Sequence, residues 1–158
     1  MNDELKAYLR IESKLAAAFN FFISGMIAAL IFHSVDKVPT DVISIAIDII
    51  ITCLFTFTIT AYFCRACLKA NKVAGILSPV NGFIRFLVRI FRVSLGFGVL
   101  PGLASAVILF IIIASGFTLL NIIALPFYPY VLLKSLFSML LGGGAALLNL
   151  YAGMCKTD

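Results

Sequence analysis

Charge is what this sequence has least of. Lys, Arg, Asp and Glu make up 12% of the 158 residues, whereas a soluble domain carries about 25%. The shortage extends along the whole chain and excludes a surface that mostly faces water. Tryptophan is absent and there is one histidine, His33. Without tryptophan, tyrosine must supply most of any aromatic belt at a membrane interface. No P-loop, nucleotide fold, H-E-x-x-H or Ser/His/Asp set occurs. Nucleotide chemistry, zincin chemistry and triad hydrolysis therefore have no motif to rest on. No cofactor is implied.

What is present is apolar. Hydrophobic residues make up 63% of the chain, and the mean hydropathy is +1.15. A bilayer crossing needs about 20 apolar residues in a helix. Four runs meet or approach that length: residues 15–32, 41–63, 103–125 and 131–154. The expected fold is all-α, a single integral membrane domain over residues 1–158 with four transmembrane helices. Short connections at 33–40 and 126–129 predict two antiparallel hairpins with sequence-adjacent spans as neighbours. Residues 1–14 read as an amphipathic interfacial helix, or as an extension of the first span. Residues 64–95 read as a loop followed by a basic amphipathic helix. No cleavable leader is evident, so the first run is expected to stay as an anchor.

The net charge of +5 is read as topology rather than as nucleic-acid binding. Lys6, Arg10 and Lys14 precede the first span, and Arg65, Lys69, Lys72, Arg85, Arg89 and Arg92 lie between the second and third. Lys156 is in the tail, while Lys37 and Lys134 are assigned to the other side. This bias places both termini in the cytoplasm, with a bacterial inner (plasma) membrane as the expected location.

One run carries a polar row. Ser44, Asp48, Thr52, Thr56 and Thr60 follow one another at intervals of four, which predicts one helix face. An acid within a span is costly, by about 2.5–3.5 kcal/mol on insertion scales, and by default marks a functional site. No Lys or Arg is expected beside Asp48. It is therefore either protonated or directed to a hydrated or oligomeric interior. Asn20 of the first span joins this candidate polar path, because a buried Asn needs a partner. The bland alternative pairs Asp48 with Asn20, Asn149 or another subunit, and returns each Thr hydroxyl to the carbonyl four residues earlier.

Small residues mark close packing. Ala17, Ser24, Gly25 and Ala28 do so in the first span, and Ser135, Ser138, Gly142, Ala145, Asn149 and Gly153 in the fourth. The second and fourth spans are the expected oligomer seams. Arg85, Arg89 and Arg92 share a helical face and suit anionic lipid headgroups. Cys64 and Cys67 form C-x-x-C, but a fourth zinc ligand is lacking, so no metal site is assigned. His33, Asp36 and Asp41 cluster in the first connection, as loop and cap residues or as the mouth of a cation path.

Two function classes follow. One is an oligomeric transporter or channel, proton- or cation-linked, that uses the polar face of the second span. The other is a non-catalytic subunit that docks into a larger membrane complex.

Overall fold

The computed structural model describes residues 3–77, 82, 85–86, 88–90 and 98–155. Within them lie α1 (Asp3–Phe32), β1 (Lys37–Pro39), α2 (Val42–Ala70), α3 (Val99–Leu119), β2 (Ala124–Pro126) and α4 (Phe127–Met154). Each helix is long and apolar enough to cross a membrane, the build of an integral membrane protein. Residues 3–14 continue directly into the first span, α1 running unbroken from Asp3. Its first turns pack into the bundle, with Leu9 buried against Leu68, Leu150 and Met154.

Local sequence explains the helix ends. Asp41 caps α2, its carboxylate accepting from the backbone N–H of Ile43 and Ser44 at 3.1 and 3.0 Å. At the other end Lys72 takes a positive φ of 53°. Its N–H reaches Lys69 O, and Val73 N–H reaches Leu68 O, which closes a Schellman motif. α3 ends the same way with Asn121 at φ 51°, its N–H on Thr118 O and that of Ile122 on Phe117 O. α3 begins at Gly98, also at positive φ. A side chain there would strike the Phe57 backbone, so glycine is required on two counts.

The two short connections form an antiparallel ribbon. Lys37, Val38 and Pro39 face Pro126, Leu125 and Ala124. Thr40 N–H to Ile123 O and Phe127 N–H to Asp36 O extend the ladder. At the far end of the bundle the chain after α2 meets the end of α4. Gly75 N–H donates to Gly153 O at 3.1 Å, and Leu77 N–H to Met154 O at 2.8 Å. The starts of α2 and α4 are thereby tied at one end, and their finishes at the other.

Helices joined by the two short connections are not the main packing partners, which corrects the expectation of two hairpins. α1 lies along α4, α4 also packs on α2, and α2 packs on α3, while α1 and α2 scarcely touch. The cause is the small-residue faces. The faces of α1 and α4 fit each other: Ser138 Oγ donates to Ser24 Oγ at 2.7 Å, Asn20 lies over Gly142, and Ser135 lies over Gly25. The α4 face expected at an oligomer seam is therefore filled by α1. Ser138 and Asn149 are 0% and 1% exposed.

Of the basic segment, Gly82, Arg85, Phe86 and residues 88–90 are helical. Val88 is buried in a cluster with Phe57 and Ala145, while Arg85 and Arg89 are exposed. Arg92 and Lys156 lie outside the described residues.

The α1–α4 fit makes a direct prediction. Gly142→Leu drives a side chain into Asn20, and such overpacking costs about 1–3 kcal/mol. Gly144→Leu, on the same helix, enters open space. Thermal unfolding of the detergent-solubilised protein, followed by circular dichroism, should show a clearly lowered midpoint for the first and little change for the second. Equal midpoints would contradict the packing.

Candidate functional site

Asp48 is not without a countercharge. Lys134 Nζ of α4 binds its Oδ1, which corrects the expectation that no basic side chain lies near. The displacement has a simple cause. α4 begins at Phe127, about one turn before the fourth apolar run reads as a span. Lys134 therefore sits inside the helix rather than at its mouth. Asp48 in α2 and Lys134 in α4 are each about 10 Å from their helix starts. The β1–β2 ribbon holds those starts level, so the two side chains meet at one depth.

Tyr130, one turn before Lys134, completes the group. Its ring lines the same cavity as Asp48, and Lys134 Nζ lies 5.9 Å from the ring centroid. The ring is held edge-on by Phe32, with centroids 5.1 Å apart. The Asp48 side chain is 36% accessible but that of Lys134 only 11%. The lysine is the more buried half of the pair and the carboxylate the more exposed.

Both line a half-open cavity of about 410 Å³, bounded by α2, α3, α4, the ribbon and Phe32 of α1. Ser44, Asp48, Tyr130 and Lys134 supply its polar wall, with Thr40 at the ribbon. Ile45, Ile113, Phe117, Leu133 and Phe137 supply much of the apolar wall. The lining residues of α3 and of the ribbon carry no charge. The charges facing Asp48 thus come from α4 alone.

The polar row does not stay on one face. Each four-residue step turns about 40° past a full helical turn, so the row winds around α2. Ser44 and Asp48 open into the cavity just described. Thr52 is half-buried, and Thr56 is buried where α2 runs between its neighbours. Thr60 lines a second cavity of about 460 Å³ with Asn20, Glu12, Cys64 and Cys67. This second space exists because α1 leans on α4 and leaves α2. The six candidate path residues are therefore divided between two cavities and the packed stretch separating them. Asn20 does not reach Asp48; its Nδ2 donates to Ala16 O at 2.8 Å.

Sequence candidates elsewhere have local partners. Asp41 is the cap of α2. The Ser44 hydroxyl, followed by backbone N–H groups of Ser44 and Ile43, holds its carboxyl below the ordinary value. The stability from this cap is present above the usual carboxylate range and is lost as pH falls through the lowered value. His33 Nδ1 contacts Leu30 O at 2.9 Å. Cys64 Sγ donates to Ala146 O and Cys67 Sγ to Glu12 Oε2, both at 3.8 Å. Among the described residues no three His, Cys, Asp or Glu side chains gather as a metal site. Asn149 Nδ2 donates to Ala145 O at 2.8 Å, and its buried Oδ1 is without a partner among the described residues.

The ion pair makes a prediction about stability. Asp48→Asn leaves Lys134 uncompensated, and Lys134→Met leaves Asp48 so. Removing one partner of a buried pair costs about 3–5 kcal/mol, and removing both is often neutral. Partial exposure of Asp48 places the loss toward or below the lower end of that range. The double variant should melt above both single variants, with a coupling of about 0.5–3 kcal/mol. Additive single effects would show that the two charges do not interact.

No family model matches the chain, and comparison with curated proteins and with solved structures gives no match; what the protein does has to be argued from the site itself.

Proposed function

We propose that this chain is a small transport protein of a bacterial plasma membrane that uses Asp48, Lys134 and Tyr130 to couple passage of a substrate to a proton or cation. The observation that carries this reading is the charged pair, set about 10 Å inside two spanning helices and facing a cavity. Ionisable groups within a span are expensive and mark ion or substrate pathways. Support also comes from the second cavity on the other flank of α2. The two spaces are joined by the winding row from Ser44 to Thr60 and separated by packed side chains at Thr56. A rocking of α2 between α3 and α1 would open them in turn, as alternating access requires.

Both termini are placed in the cytoplasm. With Lys134 inside the bundle, Lys37 is the only basic residue left in the two short connections, which strengthens the charge bias. Arg85 and Arg89 are exposed around the inward Val88 and are assigned to anionic headgroups. Oligomerisation through α2 and α4 loses the support of the α4 face, since α1 covers it.

A second reading, as an accessory subunit of a larger membrane complex, is favoured by α3. This helix packs chiefly on α2 and presents Leu103, Val107, Ile108, Ile111 and Ile112 outward. That face suits lipid, a second copy or a partner helix.

Liposome flux separates the readings. Purified protein should carry a potential-driven proton or cation flux, and Asp48→Asn should reduce it at least tenfold at unchanged oligomer size. A well-folded wild type that carries no flux would sink the self-sufficient transporter and favour the accessory subunit.

A further inference from the structure

The geometry points to a lipophilic organic cation as the ligand of the cavity between α2, α3 and α4, received by the Asp48 carboxylate. This rests on the reading of that cavity as the substrate site, and adds the chemical class. Three observations carry it.

The first is which charge is the more exposed. The pair as a whole is neutral, but its halves are unequally placed: the Lys134 side chain is 11% accessible and that of Asp48 36%. A carboxylate has two oxygens and about four lone-pair directions. Lys134 is bonded to Oδ1, so acceptor capacity remains on a carboxylate that lines the cavity. A ligand cation can join the pair there without displacing the lysine. A ligand anion would meet an ammonium that also lines the cavity but is the more buried of the two groups.

The second is the wall. Phe32, Phe117, Tyr130 and Phe137 line the same space. Aromatic faces attract cations, by about 0.5–2 kcal/mol each according to desolvation. A small hydrated metal ion has no use for such walls, whereas an alkyl- or aryl-substituted ammonium or phosphonium does. The third is size. A cavity of about 410 Å³ falls within the range of about 300–1,000 Å³ usual for small organic ligands.

Tetraphenylphosphonium and tetraphenylborate test this, being alike in shape and opposite in charge. Titrated against the purified protein in lipid nanodiscs, tetraphenylphosphonium should bind saturably and tetraphenylborate should not. Asp48→Asn should weaken phosphonium binding at least tenfold. Because that variant leaves Lys134 unpaired and can unfold, a second one spares the pair. Gly116 lines the cavity and has nothing within 4 Å of where a side chain would start. Gly116→Leu should therefore fill the space and weaken binding similarly while Asp48 and Lys134 are untouched. Equal binding of the two probes, or phosphonium binding indifferent to Gly116→Leu, would overturn the assignment and indicate partition into apolar surface. Saturable phosphonium binding without any flux would keep the ligand class and remove the transport reading. Proton flux in a protein that binds no phosphonium would do the reverse.

Discussion

A carboxylate held among apolar helices needs its countercharge at the same depth, and much of this architecture follows from how that is arranged. Asp48 and Lys134 are far apart in sequence and belong to different helices. They meet because the ribbon of Lys37 to Pro39 with Ala124 to Pro126 sets the starts of α2 and α4 level. Backbone hydrogen bonds outside the helices thus decide which side chains face each other within them. The pair in turn joins α2 to α4, the two helices that must lie side by side if α1 and α3 are to occupy the flanks.

Close packing then decides where space is left. Glycine and serine let α1 and α4 approach until Asn20 covers Gly142 and Ser24 bonds Ser138. Helices in lipid gain little from burying apolar surface against each other, so close fit and interhelical hydrogen bonds select the partners. A helix that fits α4 this closely cannot also follow α2. The gap between α1 and α2 is the second cavity. The first arises on the opposite flank, where the C-terminal half of α3 faces the pair and Gly116 adds no side chain. Both cavities are consequences of unequal packing in a row of four helices.

Much of this was legible in the residues. Length and apolarity gave four helices long enough to span, the glycine and serine spacings gave the two close-packing faces, and Asp41 was among the candidate cap residues. Asp48 stood out by its cost alone. Three things were not legible. The small-residue faces of the first and fourth spans were not matched to each other, and the fourth span was taken as an oligomer seam, because spacing reveals that a face fits closely but not what it fits. Lys134 was placed at a helix mouth, because Pro126 to Pro129 reads as a turn although α4 already starts at Phe127. The one available signal was its offset from that helix start, nearly the same as that of Asp48 from its own. The row from Ser44 to Thr60 was read as one face, although a four-residue interval overshoots a helical turn by about 40°. Over four such steps the row crosses to the other side of α2, so it belongs to two cavities rather than to one path.

The central claim is that Asp48 and Lys134 face each other across α2 and α4 of a single chain. Cysteines at both positions, in a chain whose Cys53, Cys64, Cys67 and Cys155 are replaced by alanine, can be bridged in native membranes with a short bifunctional thiol reagent. The account predicts rapid bridging within one chain, and none when the cysteine at 48 is paired instead with one at Asn20. Bridging only between chains, or equal bridging to position 20, would contradict it.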